Sequence, residues 1–151
     1  MQKQPSLTFP KKFLSGAATS AHQVEGGTHN QWTVWELENA KSKAAQANYH
    51  LEDLDSWSHI QSEAKDPNTY VSSRATEHYE CYAEDFDLLQ KMNMNAFRFS
   101  VEWSRVEPQQ GAWNVEAVEH YKQYIAELKK RGIEPVVTLF HFTLPVWFTA
   151  L

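Results

Sequence analysis

From residue 74 onward the apolar residues of this chain fall into regular periods. In RATEHYECYAEDFDLLQKMN (74–93), Tyr79, Tyr82, Phe86, Leu89 and Met92 recur every three or four places. That spacing predicts a helix with one buried stripe. NAFRFSVEW (95–103) predicts a strand, entered through Ala96 and Phe97 and carrying Phe99 and Val101. Pro108 and Gly111 mark a turn. Asn114 can cap a second helix, whose apolar positions are Ala117, Val118, Tyr121, Ile125 and Leu128. Lys129, Lys130 and Arg131 suit the negative end of that helix, and Gly132 suits its C-terminal cap. EPVVTLFHF (134–142) is β-branched and nearly continuously apolar, the pattern of a parallel strand buried on both faces. LPVWFTAL (144–151) begins another helix.

Upstream the pattern is weaker. FLSGAATSA (13–21) reads as a short strand after an extended segment around Pro5 and Pro10. Its small residues imply tight quarters, as inside a barrel. Residues 24–73 are polar and poorly periodic, although they hold Trp32, Trp35 and Trp57. They are expected to form a long ordered loop packed on the body, with short helices around 52–64; a loop of this length inside a domain is usually functional or disordered.

The resulting order is strand, long loop, helix, strand, helix, strand, helix. Such alternation means parallel βα units, in either a doubly wound sheet or a (β/α)8 barrel. No G-x-G-x-x-G follows a strand, which removes support for the dinucleotide-binding form of the former. Polar residues gather at the C-terminal end of each strand: His22 and Gln23; Arg98, Ser100 and Glu102; His141. Barrel enzymes build their sites at that end.

The 151 residues suggest one domain, and 42% apolar with 22% charged residues is a globular composition. Six Trp, six Tyr and eight Phe suit a packed core, and also suit stacking on sugar rings. A net charge of −5, with no sizeable Lys/Arg cluster, argues against nucleic acid or an anionic membrane as partner. Cys81 is the single cysteine, so no intrachain disulfide forms. MQKQPSLTFP lacks the apolar core of a signal peptide, and no run reaches membrane-spanning length. A soluble, cytoplasmic protein with a genuine start at Met1 is the expectation.

Three blocks carry a family resemblance. FLSGAATSAHQVEGG (13–27) resembles the N-terminal motif of glycoside hydrolase family 1, the β-glucosidase/β-glycosidase family: an aromatic residue, small residues, Gln or Asn, one residue, Glu, Gly. ATEHYECYAEDFDLLQKMNMNAFRFSVEWSRVEP resembles its first helix and second strand, and GIEPVVTLFHFTLPVWF its third strand and following loop. The resemblance covers nearly the whole chain from about residue 9 and is weakest over 36–72.

The resemblance implies a (β/α)8 TIM barrel, of which residues 1–151 supply roughly the first three βα units as an N-terminal fragment. It implies a retaining β-glycosidase acting on a β-glycoside or oligosaccharide, with no metal or organic cofactor. Gln23 and His141 match residues that hydrogen-bond sugar hydroxyls in the −1 subsite, and an amide suits this by donating and accepting at once. Arg98 matches an arginine lying under the catalytic nucleophile, where a guanidinium keeps a carboxylate ionised and oriented. The alternative for Gln23 is a strand-end cap, and for Arg98 a structural ion pair inside the barrel, which overlaps with the first reading; His141 taken alone reads equally as a packed core histidine.

Glu25 and Glu102 offer two carboxylates, but both are expected in supporting roles, so no catalytic residue is assigned. The family's acid/base and nucleophile glutamates would lie beyond Leu151. His22 and His29 fit no metal-ligand spacing with His141. Trp32, Trp35 and Trp103 read as packing residues near the barrel mouth, with Trp103 and Phe142 candidate linings of a subsite. Many family members carry Trp then Asp where Phe142 and Thr143 stand, and Phe cannot donate the indole N–H to a sugar. The second reading of the chain is a catalytically inactive carbohydrate-binding or scaffold module.

Overall fold

The computed structural model describes residues 8–149. Pro5, Ala150 and Leu151 lie outside them. Three parallel strands form one sheet in sequence order: β1 (Gly16–Ala18), β2 (Ala96–Ser100) and β3 (Glu134–Thr138). In register, Gly16 faces Ala96, and Arg98 faces both Ala18 and Val136. β1 is three residues long, shorter than the nine-residue run of its predicted strand.

The small residues of β1 have a visible cause. A Cβ built on Gly16 would lie 2.0 Å from the Ala96 carbonyl oxygen, so only glycine permits this approach. The backbone continues directly into α1 (Ala21–Val24), then α2 (Gln31–Ala45), α3 (Ala47–Leu51), α4 (Trp57–Ala64) and a 3₁₀ turn (Pro67–Tyr70). Much of the expected long loop over 24–73 is therefore helical. Its buried apolar side chains are alanines, Ala40, Ala44, Ala47 and Ala64, which leave little amphipathic signature. The start of α2 is fixed by a capping box. The Asn30 side chain accepts from the Trp32 and Thr33 backbone N–H groups, and Thr33 Oγ1 accepts from the Asn30 N–H.

α5 (His78–Lys91), α6 (Trp103–Val106), α7 (Val115–Lys130) and α8 (Val146–Thr149) complete the described elements. Phe97 and Phe99 of β2 face α5 and α7, where they join Phe86, Leu89, Tyr121, Tyr124 and Leu128 in one buried cluster. Asn114 caps α7 by accepting from the Ala117 N–H at 3.1 Å, and Gly132 takes a left-handed φ of 70° just past its end. The predicted α5 stripe holds at Phe86 and Leu89, whereas Met92 lies past the helix end and is 56% exposed. His78 is an unpredicted buried polar residue. Its ring contacts Asp85 Oδ2 at 2.5 Å and Tyr124 Oη at 2.7 Å, which satisfies both nitrogens.

β3 departs from the two-sided burial expected of it. Val136 and Val137 are 44% and 39% exposed, because among the described residues nothing pairs with the outer edge of β3.

Candidate functional site

The C-terminal ends of β1 and β3 converge on one cleft of about 410 Å³. Gln23, on α1, projects from the β1 side. The Ala21 N–H donates to Ser100 Oγ at 2.7 Å, which anchors the start of α1 to the end of β2. Ser20 Oγ then donates to Gln23 Oε1 at 2.6 Å and sets the orientation of the amide.

His141 and Phe142 enter the cleft from the loop after β3. Phe142 has a left-handed φ of 68°, uncommon for a non-glycine residue. The start of α2 holds this turn. Gln31 Nε2 donates to the Phe142 carbonyl at 3.0 Å, and the Gln31 N–H donates to the Leu144 carbonyl at 3.0 Å. The first residue of α2 thus fixes the loop that presents His141.

The third wall comes from α2 and the segment before α5. His22 Nε2 lies 3.1 Å from Glu36 Oε1 and 3.2 Å from Ser72 Oγ, and Ser72 Oγ donates to Glu36 Oε1 at 2.7 Å. Burial opposes ionisation of Glu36, yet bonds from the Ser72 hydroxyl and N–H and from His22 outweigh it. They hold the carboxyl below the usual carboxylate range. The cleft therefore presents an amide, two imidazoles and a carboxylate, with Trp32 at its rim, 43% exposed. Donors and acceptors beside an aromatic face suit a polyhydroxylated ring.

The structure brings Gln23, His141 and Phe142 together. Trp103 does not line this cleft: its indole Nε1 donates to Glu107 at 2.8 Å and its ring packs against Trp147 and Phe148. Trp32 is the tryptophan that lines it. Arg98 Nη1 donates to the Thr19 carbonyl at 2.9 Å and makes no ion pair among the described residues. Sequence reasoning missed Glu36 and Ser72. The available signal was the Asn30–Thr33 capping box, which turns α2 so that Glu36 meets His22.

Glu25 and Glu102 are committed elsewhere. Glu25 accepts from Arg105 Nε at 2.9 Å and from Tyr121 Oη at 2.8 Å. Burial pushes its carboxyl up to about 7, against the lowering effect of those two partners. A second hollow, of about 340 Å³, opens beside Arg105 and Arg74; their guanidiniums already pair with Glu25 and Glu77. Among the described residues no three His, Cys, Asp or Glu side chains gather to hold a metal, and no helix is long and apolar enough to cross a membrane.

Known proteins share the sequence pattern and the fold of this chain. The sequence pattern of Glycosyl hydrolase family 1 matches residues 5–150. A putative myrosinase 6 of Arabidopsis thaliana is 35% identical over 145 residues, covering 94% of this chain and 26% of that protein. A furostanol glycoside 26-O-beta-glucosidase of Hellenia speciosa is 36% identical over 144 residues, 91% of this chain and 22% of that protein. The solved beta-glycosidase from Pyrococcus horikoshii superposes with a TM-score of 0.73 at 36% identity, over 95% of this chain and 28% of its own. The chain thus spans about a quarter of the length of the relatives it matches. The three-stranded parallel sheet accords with part of a barrel, and the chain belongs to glycosyl hydrolase family 1.

Proposed function

We propose that this chain is the opening part of a β-glycosidase that hydrolyses terminal β-O-glycosidic bonds with retention. The observation that carries the reading is the convergence of Gln23 and His141, from the ends of β1 and β3, on one cleft. Further βα units would pair the open edge of β3 and close a (β/α)8 barrel around Arg98. A barrel of this kind needs roughly 250 residues. The chain supplies part of the sugar subsite: Gln23 donates to and accepts from hydroxyls, and His141 adds a second polar contact.

Retention requires two carboxylates about 5–5.5 Å apart, one acid/base and one nucleophile. Glu25 and Glu102 are buried in scaffold bonds, so these groups are assigned to polypeptide following Leu151. Arg98 then has a carboxylate to orient. Phe142 offers an apolar face where an indole N–H would bond a hydroxyl, which bears on sugar preference rather than on reaction class.

The open edge of β3 favours a second reading, a catalytically inactive carbohydrate-binding or scaffold module whose edge is covered by another polypeptide. The mass of the native protein separates the two. A species several times 17.5 kDa supports the enzyme; one of 17.5 kDa supports the module. In the longer protein, Gln23→Ala should lower kcat/KM by roughly 10- to 100-fold, the loss of one or two buried hydrogen bonds. Unchanged kinetics would remove Gln23 from the subsite.

A further inference from the structure

We propose that a buried chain of hydrogen bonds beneath the cleft couples the position of Gln23 to that of His141, and that Tyr121, Glu102 and Thr143 are its positioning residues. The chain begins at Arg105, whose Nε donates to Glu25 Oε2 at 2.9 Å. Glu25 Oε1 accepts from Tyr121 Oη at 2.8 Å. The same phenolic oxygen accepts from the Glu102 N–H at 3.0 Å. Glu102 Oε2 accepts from Thr143 Oγ1 at 3.0 Å, and its Oε1 accepts from Ser104 Oγ at 2.7 Å. The Thr143 N–H closes the run by donating to the His141 carbonyl at 2.9 Å.

This path passes through the segments that follow each of the three described strands. Glu25 lies two residues after Gln23, Glu102 two residues after β2, and Thr143 two residues after His141. Glu25, Tyr121, Glu102 and Thr143 are all buried, with Glu102 fully inaccessible. Hydrogen bonds away from water are stronger, and a buried partner left unpaired is costly, so the groups move together or not at all. Tyr121 is the joint, since one hydroxyl donates to the β1 side and accepts from the β2 side. Other contacts stiffen the Glu25 end. Arg105 Nη2 also bonds the Gly26 carbonyl, and its guanidinium lies 4.0 Å from the centre of the Tyr79 ring. A Cβ on Gly26 would lie 2.0 Å from the Arg74 carbonyl oxygen, so the turn has no slack.

The functional meaning rests on the subsite reading of Gln23 and His141: the two groups would contact one sugar ring, and their separation is set by the bonds below. The coupling itself is testable without sugar. Thr143→Val keeps the shape and removes the hydroxyl. Backbone amide NMR of the full chain should show the Gln23–Gly27 signals shifting beyond the signals of α4, which touches neither end of this path, and Thr143→Ser should restore them. Shifts confined to residues near 143 and 102 overturn the proposal.

Tyr121→Phe is the second variant, expected to move signals at both Gln23–Gly27 and His141–Thr143. Movement at only one end also overturns the proposal. If either variant loses its amide dispersion, hydrogen exchange on the unaltered chain decides: the Glu102 N–H should be protected, and rapid exchange counts against the coupling. Methyl β-glucoside added afterwards tests the subsite separately. Coupling with no sugar-induced shift at Gln23 or His141 would sink the subsite reading alone.

Discussion

Two regions of the molecule bury themselves by opposite means. The α5–β2–α7 region inserts rings: Phe86, Phe97, Phe99, Tyr121 and Tyr124 are each 5% exposed or less. The α2–α4 region inserts alanines, while Trp32, Trp35, Leu37 and Tyr49 stay between 42% and 82% exposed. The first region gains stability from apolar area, which is roughly proportional to side-chain size. The second gains it from close backbone approach and from directed bonds such as the Asn30 cap and the Glu36–Ser72 contacts. The difference teaches where stiffness lies. The ring-filled region is the platform, and the region with the thinner core supplies the Trp32 and Glu36 wall of the cleft; thinly buried segments open more readily.

The strongest way to break this contrast is to empty the platform. Phe86→Ala should cost about 3–5 kcal/mol, the usual penalty for deleting a buried ring. Urea unfolding measures it, and a cost near that of an exposed site would deny the platform its role. The next test lies at the seam, where Glu25 joins the turn after β1 to α7. Arg105, Tyr121 and Glu102 all act on this carboxyl, whose pKa rises from 4.5 to about 7 on folding, chiefly by burial. Between those values the folded chain holds a proton that the unfolded chain has released. This group's contribution is therefore complete below pH 4.5 and fades as pH rises to 7, by about 3 kcal/mol. Glu25→Gln cannot titrate, so the stability difference between the two chains should vary with pH by that amount; a constant difference refutes the shift. The smallest effect sharpens the other side. Asn30→Ala should cost about 1–2 kcal/mol by removing the α2 cap, with loss of hydrogen-exchange protection confined to α2 and the Phe142–Leu144 turn.

The same contrast explains what the sequence disclosed. Phe86, Leu89, Tyr121 and Leu128 are large, periodic and buried, so α5 and α7 were readable from spacing alone. Asn114 and Gly132 bounded α7 by ordinary capping chemistry. α2 was not readable, because alanine at 40 and 44 carries almost no periodic contrast with polar neighbours. β3 reads as a doubly covered strand, and its exposure reflects an unpaired edge rather than a misread period. At the site, Gln23 and His141 emerged from motif resemblance. Glu36 and Ser72 did not, since they meet only after α2 and the turn before α5 have folded. Trp103, read as a packing residue and also as a candidate subsite lining, packs against Trp147 and Phe148 with its indole N–H bonded to Glu107.

The contact between Gly16 and the Ala96 carbonyl also has a genetic consequence. Every single-base change that alters a glycine codon encodes a residue with a Cβ, or a stop. The obstacle at 2.0 Å is backbone, which no rotamer change can clear. Position 16 is therefore closed to stepwise drift: a descendant of this gene can replace that glycine only after β1 and β2 have already moved apart.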